Sequence, residues 1–433
     1  MKVSFYTPGC KVNQYETESL AELFSKNGYS IAGNEEQCDV FVINSCTVTA
    51  ESDRKARQMI RRFRKMHPKA VFVLIGCMPQ AFPEMAEKLY EADVISGNTN
   101  QQKVFDAVQE FLKTRKRIVL IEKHQKGEKF NTPLISDFAT HTRAFMKIQD
   151  GCERYCTYCI IPFARGNLRS KSLKDIKTEA CSLARAGYKE IVLVGINLTS
   201  FGKDTGTDIS SAVSVISEVE GIKRIRLGSV EPDLMDDALL KKLAENEKFC
   251  PQFHLSLQSG SDETLKRMNR HYDSAFYYDL VCRIRRLFDN PSITTDIMVG
   301  FAGETEEEFL QSLDFARRVG FAKTHIFCYS QRKGTVAASL KNQVVKKEKE
   351  RRSRLMNEIS KESERKFLDS QIGAPAQVLF ETQDNGIYSG YTKNYTLVKM
   401  KSEENLCGKI VSVRLETVED GYIKAKLERQ KNA

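Results

Sequence analysis

Three cysteines, Cys152, Cys156 and Cys159, fall within the stretch GCERYCTYC with the spacing C-x3-C-x2-C. Structural zinc takes four ligands, commonly two C-x2-C pairs or cysteines with histidines at fixed intervals. Neither pattern is completed here: the chain has no second C-x2-C, and the nearest histidine, His141, lies upstream in a polar connection. An iron-sulfur cubane is normally held by four thiolates. Three leave one iron open, and an open metal position is where a substrate or cofactor binds.

A second set of thiols is spread through the first eighty residues. Cys10 follows VSFYT in TPGC, Cys46 follows VFVI in INSC, and Cys77 follows VFVLI in IGC. Any one of these reads as a small buried thiol. Three placed alike, each just after a β-like run, are better explained by a shared site, because the strand ends of a parallel sheet lie along one edge, where open α/β folds bind ligands. Gly9 and Gly76 precede two of them and would let the backbone approach a bound group closely. Cys38, Cys181, Cys250, Cys282, Cys328 and Cys407 share no ligand spacing and read as core or incidental thiols.

The elements that must position these residues fall into three regions. Residues 1–135 alternate strand patterns (VSFYT, DVFVINS, AVFVLIG, ADVISG) with helical ones (Asn13–Asn27, and AESDRKARQMIRRFRKM), which predicts a Rossmann-like parallel, doubly wound sheet. Residues 136–142 are a polar connection opening the central region, 136–369. RAFMKIQDGC begins a second βα series there, continued by strand patterns at 191–195, 224–230, 253–258, 293–300 and 324–330. Six units predict a partial (β/α)6 barrel of TIM type, with its site at the C-terminal strand ends. The charged stretch 341–369 reads as a solvated connecting helix that can also touch phosphates. Residues 370–433 hold five short strand patterns, which predict a small antiparallel, OB-like barrel.

Composition is that of an ordinary globular chain: 433 residues, 41% hydrophobic, 29% charged. The N-terminus MKVSFYTPGCK has no leader pattern, and the longest apolar runs, such as VFVLI at 71–75, are far too short to span a bilayer, so a soluble cytoplasmic protein is expected. Twelve cysteines in a reducing compartment argue for metal or catalytic duty in some of them. The net charge of +10 points weakly to a polyanionic partner.

C-x3-C-x2-C after the first strand of a six-unit βα series, with Tyr158 before the last cysteine, resembles the radical S-adenosylmethionine (SAM) superfamily. In that superfamily the open iron binds the amino and carboxylate groups of SAM, and an electron passed through the cluster cleaves it to a 5'-deoxyadenosyl radical. Along its whole length the chain resembles one branch, the methylthiotransferases, through TPGCKVNQYETE, INSCTVT, IGCMPQ, GCERYCTYCIIPFARG, LVGINLTSFG, GSVEP, LSLQSGSDETLKRMNR and GFAGETEEEF, and through the small C-terminal barrel, called TRAM there. GCKVNQYETE is similar to the members that modify N6-threonylcarbamoyladenosine at position 37 of tRNA. The isopentenyladenosine branch usually has Gln-Met-Asn at that point and the ribosomal-protein branch Pro-Lys-Asn. Pro8 and Ala302 depart from the pattern, where leucine and proline are usual, and neither is a ligand position.

The resemblance implies two 4Fe-4S clusters, an auxiliary one on Cys10, Cys46 and Cys77 and a radical-generating one on Cys152, Cys156 and Cys159. It implies two SAM molecules per turnover, one giving a methyl to sulfur held at the auxiliary cluster and one giving the radical that activates adenine C2. Asn197, Ser229, Glu231, Gln258 and Gly300 stand at predicted strand ends and are candidates for SAM contacts; capping and turn roles stay open for each.

The partners implied are tRNA, through its anticodon stem-loop, and an external electron donor, with neither a membrane nor DNA. Residues 54–69 carry eight Lys/Arg, 266–271 adds more near the barrel mouth, and Tyr388, Tyr391 and Tyr395 are available for stacking or packing. Two other readings remain open: the same chemistry on isopentenyladenosine tRNA or a ribosomal protein, and a non-catalytic iron-sulfur or zinc RNA-binding protein.

Overall fold

The structure is a computed structural model and describes residues 1–34, 36–99, 103–135 and 142–428. The expected connection at 136–142, apart from Thr142, lies outside the described residues, as does His141. Each of the three regions forms its own β structure.

The first region is a parallel sheet of six strands: β1 (Lys2–Tyr6), β2 (Ser30–Ala32), β3 (Val40–Ser45), β4 (Val71–Gly76), β5 (Val94–Ser96) and β6 (Ile118–Leu120), in the order β2-β1-β3-β4-β5-β6. Every residue of β3 and β4 is buried, as a sheet covered on both faces requires. Val40 and Val42 pack with Leu20 and Phe24 on one face, while Phe41 and Ile43 pack with Ala56, Ile60 and Phe63 on the other. These last three line one stripe of the helix Ala50–Met66, whose N-cap Thr49 accepts from the Ser52 N–H. The sequence pattern misses β2 and β6: three residues long and partly exposed, they carry too little alternation to register. The chain leaves β1 toward β2 and returns to β3 on its other side, so the sheet's switch point, the crevice where open sheets bind ligands, falls between β1 and β3.

In the central region β7 (Ala144–Lys147) is followed by an antiparallel pair, β8 (Gln149–Asp150) and β9 (Arg169–Ser170). Then come β10 (Glu190–Val194), β11 (Arg224–Leu227), β12 (Ser229–Val230), β13 (Gln252–Leu255), β14 (Ser292–Val299) and β15 (Lys323–Cys328). The strand expected at 224–230 is split at Gly228, giving two parallel sheets, β11-β10-β7 and β12-β13-β14-β15. In sequence, six parallel strand positions result. Val12 and Tyr15, from the N-terminal helix Lys11–Lys26, belong to the central hydrophobic core, so that helix joins the two regions.

The charged helix Lys346–Asp369 is more than a solvated connector. Met356 and Ile359 enter the central core, Ser360 bonds both the N–H and the carbonyl of Thr324 on β15, and buried Arg352 bonds Glu304 and Glu348. Its apolar residues are too few among the charges for the sequence to reveal this covering role.

The C-terminal region is a closed barrel of β16 (Pro375–Asp384), β17 (Ile387–Thr392), β18 (Leu397–Lys401), β19 (Ile410–Val418) and β20 (Ile423–Leu427), in the order β16-β17-β18-β20-β19. It is not wholly antiparallel: β20 returns from β19 and closes the barrel by running parallel to β18. Gly390 is required there, since a Cβ would lie 2.2 Å from the Leu379 carbonyl oxygen.

Candidate active site

The strand-end cysteines of the first region come together at its switch point. Cys10 is the N-cap of the helix Lys11–Lys26, Cys46 follows β3, and Cys77 opens the short helix Cys77–Ala81 directly after β4. Burial pushes the Cys46 thiol up to about 12, and the neighbouring Cys77 and Cys10 thiols add to it, so the three lie within electrostatic range of one another. Asn13 braces the group, accepting from Cys10 Sγ (3.2 Å) and donating to Asn44 Oδ1 and the Ser45 carbonyl (3.0 Å each). The role expected of Gly76 changes: it has φ +103°, and a Cβ would strike the Ser45 carbonyl oxygen at 2.4 Å, so the glycine allows the close β3–β4 approach that sets Cys46 beside Cys77.

Cys152, Cys156 and Cys159 share the loop after β8. Gly151 (φ +76°) makes the turn, and any Cβ there would meet the Asn167 carbonyl. Cys152 N–H bonds the Gly166 carbonyl (3.0 Å), Cys159 N–H bonds the Cys156 carbonyl (2.9 Å), and Thr157 is tied to the carbonyls of Met268 (3.1 Å) and Arg267 (2.8 Å). Burial raises the Cys152 and Cys159 thiols to about 11 and about 12, each raised further by Cys156.

An arginine addresses each group. Arg165, in the helix Ile161–Arg165 that follows the second cysteine loop, reaches back to the first set, with Nε 3.3 Å from Cys77 Sγ. Its other nitrogens bond Glu16 and Asn13, and Glu16 also pairs with Lys147 (2.6 Å), which pairs with Asp150 (2.7 Å). This wholly buried network fixes the two cysteine groups relative to each other. Arg270 holds the second set: Nη1 is 3.3 Å from Cys156 Sγ, Nη2 pairs with Glu231, and Nε bonds the Tyr272 hydroxyl (3.0 Å). Sequence reading misses both arginines, and the stretch 266–271 is not a phosphate-facing patch throughout. Arg270 is buried and Arg267 pairs with Glu308, leaving Lys266 and His271 exposed.

Glu231 thus reaches the Cys156 side through Arg270, and its N–H bonds Thr199 Oγ1 (2.9 Å), whose hydroxyl lies 3.5 Å from Asn197 Oδ1. Asn197 N–H bonds Gln149 Oε1 (2.7 Å). Ser229 is exposed on β12. Gln258 has φ +70° and exchanges backbone bonds with Asp296 and Met298 (2.8 Å each). Gly300 stands apart: its N–H is taken by Glu304 (2.6 Å), and a Cβ would lie 2.3 Å from Lys349 Cγ of the charged helix.

Among the described residues no three His, Cys, Asp or Glu side chains converge on a single metal ion. A cubane asks for something else, since each thiolate binds a different iron. Two groups of three free thiols, with burial disfavouring the thiolate at Cys46, Cys77, Cys152 and Cys159 and with one arginine at a sulfur of each group, are a donor set suited to such clusters.

Residues 146–316 match the model of the radical SAM superfamily, and residues 2–97 match the uncharacterized protein family UPF0004. The threonylcarbamoyladenosine tRNA methylthiotransferase MtaB of Bacillus subtilis is 37% identical over 95% of this chain and 93% of its own length, and that of Thermotoga maritima is 36% identical over 98% and 97%. The chain belongs to the radical SAM methylthiotransferases. It is a radical SAM enzyme of the MtaB type, in a family that binds SAM and a 4Fe-4S cluster. A tRNA-2-methylthio-N(6)-dimethylallyladenosine synthase of Alkaliphilus oremlandii is 33% identical over 96% of this methylthiotransferase and 90% of its own length. The radical SAM methyltransferase TsrM of Kitasatospora setae shares the fold, with a TM-score of 0.57 and 13% identity over 78% of this chain and 74% of its own.

The tyrosines expected to meet RNA have other contacts. The ring centroids of Tyr391 and Tyr395 stack 4.4 Å apart with the Arg143 guanidinium 5.0 Å from each, and Tyr388 packs on Phe380 inside the barrel. The helix Ala50–Met66 does keep a cationic face, with Arg54, Lys55, Arg61, Arg62 and Lys65 exposed. No helix among the described residues is long and apolar enough to cross a membrane.

Proposed function

We propose that this methylthiotransferase converts N6-threonylcarbamoyladenosine at position 37 of tRNA to its 2-methylthio derivative, consuming two SAM molecules and drawing electrons from an external donor. The observation that carries the reading is end-to-end similarity at 36–37% identity to relatives bearing that activity in their names, against 33–34% for those named for the dimethylallyl substrate. In it Cys10, Cys46 and Cys77 hold an auxiliary 4Fe-4S cluster and Cys152, Cys156 and Cys159 a second one. When bound, these groups supply the electron for SAM cleavage and a site for the sulfur that is transferred.

The remaining roles belong to the chain's own residues. Arg270 and Glu231 fix the Cys156 side of the loop, and Arg165 with Glu16 fixes the distance between the two sets. Asn197, Ser229, Glu231 and Gln258 contact SAM, and Gly300 contributes by backbone alone. The division into 1–135, 136–369 and 370–433 is part of the proposal, with the last unit a TRAM module of OB type, and so is a cytoplasmic location. The C-terminal barrel and the cationic face of Ala50–Met66 bind the tRNA backbone.

Mass spectrometry of tRNA nucleosides from cells with and without the gene tests the substrate. Loss of 2-methylthio-N6-threonylcarbamoyladenosine on deletion is expected; its unchanged level, or loss of the 2-methylthio-isopentenyl nucleoside instead, contradicts the assignment.

A further inference from the structure

The central region carries a charged cup that the cysteine sites do not use. Phe145, Val192 and Arg226 align across β7, β10 and β11 on one face, and Glu190 and Arg224 align two residues earlier on the same face. The intervening Ile191, Leu193 and Ile225 are in the core with the helix residues Ile176, Ala180 and Ala212. The charged face is the one whose arginines meet the C-terminal barrel.

The C-terminal barrel closes the bottom of this cup. Arg224 donates to the carbonyls of Tyr391 (3.0 Å) and Gln377 (2.7 Å), Arg226 donates to those of Lys393 (2.9 Å) and Thr392 (3.3 Å), and the Arg226 guanidinium lies 4.8 Å from the Tyr395 ring centroid. At its top, two residues beyond Phe145, stand Lys147 and then the loop of Cys152.

Lys11 enters between floor and top. It is the residue after Cys10 and the first of the helix Lys11–Lys26, and its Nζ lies 5.7 Å from the Phe145 ring centroid, within electrostatic range of Arg143, Arg226 and Glu190. Among the described residues its ammonium has no carboxylate or hydrogen-bond partner, and the side chain is solvent-exposed although protein surrounds it. The carboxylates here already have guanidinium partners, Glu190 with Arg226 and Glu381 with Arg143. The cup therefore has a cation to spare beside a cysteine of the auxiliary set.

We propose that Lys11 binds the carboxylate of the threonylcarbamoyl group on the target adenosine, and so is a specificity-determining residue. The inference rests on the proposed substrate. A threonylcarbamoyl group ends in a carboxylate, whereas a dimethylallyl group is apolar and would leave the ammonium desolvated without a partner, a mismatch that disfavours binding. With the N6 substituent lodged toward Lys11, the adenine ring lies toward the cysteine loops above.

The test uses the full-length reconstituted enzyme and two anticodon stem-loop RNAs, one with N6-threonylcarbamoyladenosine and one with its methyl ester, which has the same shape without the charge. Wild type is expected to prefer the acid by about 10-fold or more in kcat/KM, mainly through KM. Lys11→Met is expected to lose this preference and Lys11→Arg to keep most of it. The acid-to-ester ratio is insensitive to cluster loading, which scales both rates alike. Equal preference in wild type and Lys11→Met overturns the inference while leaving the proposed function standing, as does a Lys11→Met loss shared equally by acid and ester, the outcome for a cation that binds an RNA phosphate. If wild type modifies neither RNA, the inference and the proposed substrate fall together.

Discussion

Arg165 is the residue on which the relation between the two cysteine groups depends. Fully buried, it bonds Cys77 Sγ, Asn13 and Glu16 at once. Burial alone would raise the Glu16 carboxyl, but Arg165 and Lys147 more than offset it and hold the group below its ordinary 4.5. A depressed carboxyl stabilises the fold fully above its unfolded value and loses that contribution as pH falls through the folded one. Arg165→Met should therefore cost about 3 kcal/mol near neutral pH, and the cost should shrink toward about pH 4, as followed by urea unfolding. A pH-independent loss would mean that packing, not the ion pair, is what Arg165 supplies. At this scale the six cysteines stand out as candidates because cysteine is rare and their placement is patterned, and Glu231 because it follows a predicted strand end. Arg165 in PFARG and Arg270 in KRMNRH do not, since a lone arginine, or one among other basic residues, reads as surface until the fold turns it inward.

Among the elements, the helix Lys346–Asp369 and the turn after β14 depend on each other. Gly300 has φ +69° and packs on Lys349 of that helix. Gly300→Ala should destabilise the protein by about 1–3 kcal/mol, and Lys349→Ala in the same chain should recover the steric part of that loss, leaving the backbone strain. Thermal unfolding of the single and double variants checks this; no recovery would show that the Lys349 side chain is not what excludes a Cβ at position 300. The strands β3 and β4 can be read from their apolar runs, β14 from its β-branched, alternating pattern, and the barrel strands from their turns. β2 and β6 take their pairing from neighbours, and the break at Gly228 divides a run that looks continuous in sequence. Likewise, the burial of one face of Lys346–Asp369 depends on a strand far away in the chain, β15, and cannot be seen in a helix so rich in charge.

For the whole molecule, the three β structures are held around the interior by charged side chains. The C-terminal barrel docks through Arg224, Arg226 and Arg143, and the N-terminal sheet through Glu16, Tyr15 and Arg165. The tyrosines Tyr391 and Tyr395 belong to the first of these junctions, which leaves the cationic face of Ala50–Met66 as the more accessible of the two surfaces proposed for RNA. Arg62→Ala with Lys65→Ala should weaken binding of the anticodon stem-loop and lower the slope of log affinity against log salt by roughly one for each phosphate no longer neutralised. An unchanged slope would place the RNA elsewhere. The central claim, that the two cysteine sets do different work in one enzyme, is tested most directly by assaying anaerobically reconstituted wild type, Cys46→Ala and Cys156→Ala with SAM, a reductant and threonylcarbamoyladenosine RNA. Wild type should form both 5'-deoxyadenosine and the 2-methylthio nucleoside, Cys156→Ala neither, and Cys46→Ala 5'-deoxyadenosine alone. Formation of the 2-methylthio nucleoside by either variant would contradict it.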